Sequence, residues 1–215
     1  MRFKSIEFKD HRMFGTARID FSKGMTVITG NNGAGKTALF KILLNSLFGE
    51  DEHFTVAKEG MDDAHPDYIF QNEETIRSIN TGELLLEMAM KGKAGEFAKA
   101  FLQEFKGLYP KYATYNRYFQ DSHSTHYSIE GEYLLSFAAL LAIRRTEKTK
   151  EPLVLDCCFE KLKPELRKTV VSALSHHKVQ LIIFQLQPAG ADYALRKDSK
   201  QRTRIVRLKL SERKQ

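Results

Sequence analysis

The sequence predicts an α/β fold with N-terminal antiparallel strands and a small helical lobe. Three observations predict it. A short run rich in β-branched residues, Met25-Thr26-Val27-Ile28, leads into a glycine-rich turn and then into Ala38 to Leu44, whose apolar residues have helical spacing. That order is strand, turn, helix. Two later apolar stretches, Leu153 to Leu155 and Val179 to Phe184, read as strands separated by a helix from Pro164 to His177, and alternating strands and helices build an α/β sheet. Ahead of these, "RFKSIEF" and "TARIDF" each alternate with period two and are joined through His11 to Gly15, the pattern of a hairpin.

The remaining elements follow in chain order. The first helix ends near "LFGEDE", and the acidic, turn-rich stretch 50–66, with Gly60 and Pro66, is expected to loop over the surface. From Thr75 to Phe105 the spacing of Leu84, Leu85, Met88, Phe97, Phe101, Leu102 and Phe105 predicts two helices broken near Gly92 or Gly95. Leu134 to Ile143 reads as an apolar helix, and the alternating "TRIVRLKL" from Thr203 to Leu210 as an edge strand protected by its charges. At 215 residues the chain can bury one substantial core. A single domain is expected, with residues 1–71 and 146–215 as the α/β core and 72–145 as the helical lobe.

The glycine-rich turn carries the chemistry. "TGNNGAGKTALF", Thr29 to Phe40, fits G-x-x-x-x-G-K-T completely. Gly30, Gly33 and Gly35 allow tight turns that point successive amides into one concavity, while Lys36 can reach the β- and γ-phosphates and Thr37 can ligate Mg²⁺. The helix that follows adds its N-terminal dipole. The candidate nucleotide-binding set is therefore Gly30, Asn31, Asn32, Gly33, Ala34, Gly35, Lys36, Thr37 and Ala38, with ATP and Mg²⁺ as the expected cofactors. A second element fits the same site: Pro152-Leu153-Val154-Leu155 is an apolar strand with Asp156 at its tip, placed to hold Mg²⁺ through water opposite Thr37.

Composition narrows the class. No apolar run approaches the roughly 20 residues that span a bilayer, and "MRFKSIEFKD" has no apolar signal region, so no membrane insertion and a cytoplasmic location are expected. Cys157 and Cys158 are adjacent and cannot staple distant parts of the chain. The formal net charge of +7 lies entirely in Arg196 to Gln215, which holds nine Lys or Arg and two Asp or Glu. Such a tail either engages DNA phosphates or an acidic partner, or serves as a charged edge strand and solubilising end. The aromatic stretch "LYPKYATYNRYF", Leu108 to Phe119, fits base stacking or a protein partner on one reading and packing between lobe and sheet on the other. A metal site joining Cys157 and Cys158 to His123 and His126, or to His176 and His177, is disfavoured because adjacent cysteines do not form the usual two-residue-spaced knuckle.

Residues 1–49, from the first strand through "GNNGAGKT", closely resemble the ATP-binding head of the SMC, RecF and RecN group of ABC-type ATPases. The resemblance implies that Arg12, in "DHRMF", contacts nucleotide phosphate and that Gln71, in "YIFQNEE", is the Q-loop residue sensing Mg²⁺ and the γ-phosphate. "YSIEGEYLLSFAALLAI" looks like the signature segment, with Gly131 and Glu132 matching the final Gly-Glu, and "LVLDCCFEKL" looks like the Walker B and D-loop segment. It further implies an ATP-gated dimer, because these heads sandwich ATP between the phosphate loop of one subunit and the signature of another.

The departures fall on catalysis. Cys157 stands where the family has the Glu that orients attacking water, and the switch histidine position falls on Leu186, or on Gln185 or Gln187. The signature serine falls on Ile129 and the D-loop aspartate on Lys163. Loss of such a group typically costs on the order of 10²- to 10³-fold in rate. Slow or partner-dependent turnover is expected, with Glu160 as a possible substitute base, or Glu130 or Glu132 supplied by another subunit. The chain also lacks the long coiled coil of larger family members. The expected role is a nucleotide-controlled switch in a DNA-associated assembly serving repair, recombination or defence against foreign DNA, as a homodimer or a heterodimer. Two alternatives stand beside it: the nucleotide-binding subunit of an ABC transporter, and an inactive ATP-bound scaffold that recruits a nuclease or other effector.

Overall fold

A computed structural model of the chain describes residues 1–49, 51–60, 66–108, 129–160, 162, 164–175, 177, 179–186 and 203–208. The chain forms two compact units, one of Met1–Asn72, Lys150–Glu160 and Leu174–Gln215, the other of Glu73–Thr149 and Lys161–Ala173.

In the first unit, β1 (Arg2–His11), β2 (Gly15–Asp20), β3 (Met25–Gly30), α1 (Lys36–Asn45), β4 (Phe54–Glu59), α2 (Pro66–Ile69) and β5 (Phe70–Asn72) come first, and β6 (Leu153–Asp156), β7 (Leu181–Leu186) and β8 (Thr203–Arg207) return later. They build two sheets. One is antiparallel with order β2-β1-β4, and the other has order β5-β6-β7-β3-β8 with every pairing parallel. All six residues of β3 are buried, which is why it reads as an unbroken β-branched run rather than an alternating one. β8 borders β3, with Ile205 opposite Val27, and takes the edge position expected of "TRIVRLKL".

The stretch 50–66 departs from the expected loop. Within it Phe54 to Glu59 forms β4, antiparallel to β1 with Ile6 opposite Val56 and Phe8 opposite Phe54. Phe54, Val56 and Lys58 are half-buried while the residues between them are exposed. This period of two is short and flanked by acidic and turn residues, so composition masked it. β1 needs partners on both sides, and β4 supplies the second.

The core of this unit is aromatic. Phe3 meets Phe21 and Phe70 edge-on at 6.3 and 6.1 Å between ring centroids, and Phe40 of α1 meets Phe70 and Phe184 at 5.5 and 6.0 Å. α1 buries Lys36, Leu39, Phe40 and Leu43, the i, i+3, i+4, i+7 spacing of one helical face. Gln180, 5 % exposed, ties the sheets together. Its Oε1 accepts the Phe3 N–H at 2.9 Å, and its Nε2 donates to Phe3 O and Ser22 O at 2.8 Å each.

The second unit is helical, with α3 (Glu73–Arg77), α4 (Thr81–Met90), α5 (Ala94–Leu108) and α6 (Ile129–Thr146). α7 (Pro164–Ser175) follows β6 in sequence. Asn80 caps α4 through Oδ1, which accepts the Gly82 and Glu83 amides at 2.9 and 3.3 Å. The break between α4 and α5 falls at Gly92, whose φ of +68° suits glycine. Phe97, Phe101 and Phe105 stack in sequence along α5. Met88 and Phe97 are buried as their helical spacing predicts, but Leu85 and Leu102 lie on the surface, 43 % and 56 % exposed. No helix among the described residues is long and apolar enough to cross a membrane. The aromatic stretch after Leu108 lies outside the described residues.

Candidate nucleotide site

The phosphate loop leaves β3 at Gly30 and enters α1 at Lys36. A Cβ on Gly30 would lie 2.8 Å from the Ala34 Cβ, so the loop's own fold excludes any larger residue there. Gly33 and Gly35 have φ of +80° and +86°, a region that costs other residues about 1–2 kcal/mol. The Ala34 N–H donates to Asn31 O at 3.1 Å and the Leu39 N–H to Gly35 O at 2.9 Å. Gly35 is the N-cap of α1 and no side chain caps this end. The amides of Lys36, Thr37 and Ala38 thus have no acceptor among the described residues, and the helix presents uncompensated donors. The Lys36 Nζ is turned back on the loop, donating to Gly30 O and Asn31 O at 2.9 Å each. Asn31, Asn32, Gly33 and Thr37 are exposed, while Ala34 and Lys36 are buried.

β5 and β6 each carry a buried acceptor near their C-terminal ends, Gln71 and Asp156. Gln71 pairs with Leu155 and Asn72 with Asp156 in the parallel ladder. Both side chains are buried, Gln71 3 % and Asp156 6 % exposed. Gln71 Nε2 donates to Asp67 O, yet Gln71 Oε1 and Asp156 Oδ1 are buried with no hydrogen-bond partner. Buried acceptors without partners cost about 1–3 kcal/mol each, and two of them at adjacent strand ends fit a hard cation with its water shell. β6 lies two strands from β3, about 10 Å by ordinary strand spacing. The donor set of Asp156, Gln71 and the Thr37 hydroxyl therefore suits Mg²⁺ chemically.

Cys157 follows Asp156 with φ of +54°, and its N–H donates to Phe184 O at 3.0 Å. Burial pushes its thiol well above the ordinary range, and the Asp156 and Glu160 carboxylates beside it push the same way. The thiol is thus held protonated, unlike a general base. Glu160, half-buried, touches this thiol directly. Cys158, 3 % exposed, donates to Gln71 O at 3.4 Å and Asp156 O at 3.5 Å, so it packs between the two strand ends. Where the family's switch histidine falls, Leu186 stands opposite Gly30 and Gln185 opposite Thr29. Gln187 and Lys163 lie outside the described residues.

Arg12 is exposed at the tip of the β1–β2 turn, and the turn itself lies on the phosphate loop. A Cβ on Gly35 would come within 2.6 Å of Met13 Sδ and 2.9 Å of Phe14 Cε1. Sequence reasoning missed this contact, and the signal available was slight: two large apolar residues, Met13 and Phe14, in a turn where polar residues are the rule. In the second unit Gly131 is buried and Glu132 exposed, both in the first turn of α6.

Comparison with known proteins bears on the family and the fold. A family model described as an AAA domain matches residues 5–215. The chain is similar to the DNA double-strand break repair Rad50 ATPase of Methanocaldococcus jannaschii, 28% identical over 100 residues that cover 43% of this chain and 10% of that protein. It is similar also to the DNA repair protein RecN of Rickettsia felis, 33% identical over 99 residues, covering 43% of this chain and 18% of that one. These matches span less than a fifth of either relative. Among solved structures, the SMC head bound to the C-winged helix domain of ScpA superimposes with a TM-score of 0.63 at 16% identity, covering 87% of this chain and 90% of that one. The SMC head domain from Thermotoga maritima gives 0.55 at 15% identity, covering 86% and 89%. An ATP-binding cassette of an ABC transporter in its ADP conformation gives 0.55 at 14% identity, covering 87% and 83%. The chain belongs to the AAA-domain family, as an SMC/RecN-like head of the ABC-type ATPases.

Proposed function

We propose that this head binds ATP with Mg²⁺ and acts as a nucleotide-controlled dimerisation switch in a DNA-associated assembly, hydrolysing ATP slowly or only with a partner. The observation that supports the reading best is the contrast along one sheet edge. The phosphate loop keeps an uncapped helix start and a lysine, Lys36, held against its own carbonyls, whereas the residue after Asp156 is a protonated thiol. Lys36, the amides of Gly33 to Ala38 and Arg12 hold the phosphates. Thr37, Asp156 and Gln71 hold Mg²⁺, which when bound offsets charge on the β- and γ-oxygens. Gly131 and Glu132 serve the nucleotide of another subunit, either a second copy or a related chain. Glu160 substitutes weakly as the base, or the missing group comes from that subunit.

The DNA setting rests on the relatives named as repair proteins, and the basic stretch 196–215 supplies the charge for phosphate contact. A neighbour named with ScpA bound favours a protein partner as well, and a nuclease or other effector fits that place. The transporter reading has weaker support, since only the fold is shared with the cassette. The deciding experiment measures phosphate release from the chain with Mg-ATP beside Lys36→Ala, with sizing of the nucleotide-bound form. ATP-dependent dimerisation with turnover below about 1 per second, against typical values of 1–10³ per second, supports the reading. Fast turnover by the chain alone, or no nucleotide binding, rejects it.

A further inference from the structure

The geometry points to His11 as a positioning residue for the phosphate loop, acting through the β1–β2 turn; the inference rests on the nucleotide-binding reading above. The His11 Nδ1 accepts two backbone amides at once, from Met13 at 3.1 Å and Phe14 at 3.4 Å. Accepting both requires the neutral ring with its proton on Nε2. The ring is itself fixed, tilted against Phe14 and edge-on to Phe8, with centroids 5.2 Å away in each case. Phe8, 3 % exposed, belongs to the buried core, and Phe14 packs against it at 4.6 Å.

One imidazole therefore connects the core to the turn. The same two residues whose amides it holds, Met13 and Phe14, are those whose side chains close over Gly35. Gly35 needs its left-handed conformation to start α1 and to aim the amides of Lys36, Thr37 and Ala38. Arg12 lies between His11 and Met13 in the chain, so the turn that His11 shapes also sets the direction of that cation. Asp10 and Thr16 clasp the base of the same turn, the Thr16 hydroxyl donating to Asp10 Oδ1 at 3.1 Å. The clasp closes the turn at its base, and His11 acts at its tip.

The test uses the full chain and two substitutions. His11→Phe keeps the ring packing and removes the acceptor; His11→Asn gives up the ring and returns an acceptor oxygen of the kind that shapes turns. Fluorescent ATP with Mg²⁺ reports affinity, thermal melting reports the fold, and hydrogen exchange of the peptide at residues 29–40 reports the loop. His11→Phe is expected to weaken binding about tenfold while the melting point falls by only about 2–6 °C, with faster exchange in the loop peptide. His11→Asn is expected to recover most of the affinity. Unchanged affinity in His11→Phe, or no recovery in His11→Asn, overturns the inference. If the parent chain binds no nucleotide and matches Lys36→Ala, the nucleotide reading itself fails; loop exchange then decides alone, and equal rates in parent and His11→Phe overturn the positioning role. If His11→Phe does not fold, Met13→Ala, which removes the contact over Gly35, must accelerate loop exchange or the coupling is absent.

Discussion

Cys157 occupies the tip of β6 under three constraints at once. Its backbone is in the left-handed region, its N–H is committed to Phe184 O, and its thiol faces two carboxylates in a half-buried setting. The carboxylates and the burial act in the same direction, against the thiolate. Thiolate is the reactive form, so alkylation of the native chain at pH 8 should run at least about tenfold slower than that of an unperturbed thiol at pKa 8.5. Cys158 is protected by burial and should behave alike. Mass spectrometry of iodoacetamide-treated protein, native and in urea, checks this; rapid native labelling of Cys157 would mean that the carboxylates do not face it.

One side chain just ahead of β7 links the two sheets. Gln180→Leu would leave the Phe3 N–H, Phe3 O and Ser22 O without their partner in a buried setting, a loss of about 2–4 kcal/mol, read from the urea midpoint. A loss under about 0.5 kcal/mol, typical of surface changes, would show that water replaces the amide freely. Nothing in the sequence announces Gln180, because its partners lie 177 and 158 residues away and local patterning reports only local periods. The same limit separates what was legible from what was not. β1, β2, β3, β6 and β7 carry period-two or unbroken apolar runs, and each forms close to where that patterning puts it. β4 failed because its alternation is one turn-rich segment's weak signal, decided by β1's open edge. At the site, the loop and Asp156 could be read from residue types in order. Gln71 came only through resemblance, since a glutamine becomes informative only once its Oε1 is seen buried without a partner, as Asp156 Oδ1 is on the neighbouring strand. The seating of Met13 and Phe14 on Gly35 is a tertiary contact with no spacing of its own.

At the scale of the whole molecule, acids paired with bases contribute to the response to pH. The hydrogen bond from Lys93, at 3.0 Å, holds the Glu147 carboxyl below its ordinary value of 4.5, with Lys91 adding to it. The hydrogen bond from Arg18 does the same for Asp20, and the Lys4 charge for Glu59. A carboxyl lowered on folding stabilises fully above its unfolded value, and that stabilisation is lost as pH falls through the folded one. The urea midpoint should hold from neutrality to near pH 5 and then fall, and Glu147→Gln should shrink that fall; an unchanged acid slope would assign the loss to other groups. A last consequence follows from the position of β3 in its sheet. Its neighbours are β7 and β8, which the chain reaches only at Leu181 and Thr203. A growing polypeptide can therefore make the phosphate loop early but cannot flank its strand until synthesis has passed residue 200, and long-range parallel pairing is slow to form. During translation the half-made sheet leaves β3, all six residues of which are buried in the finished fold, without its neighbours.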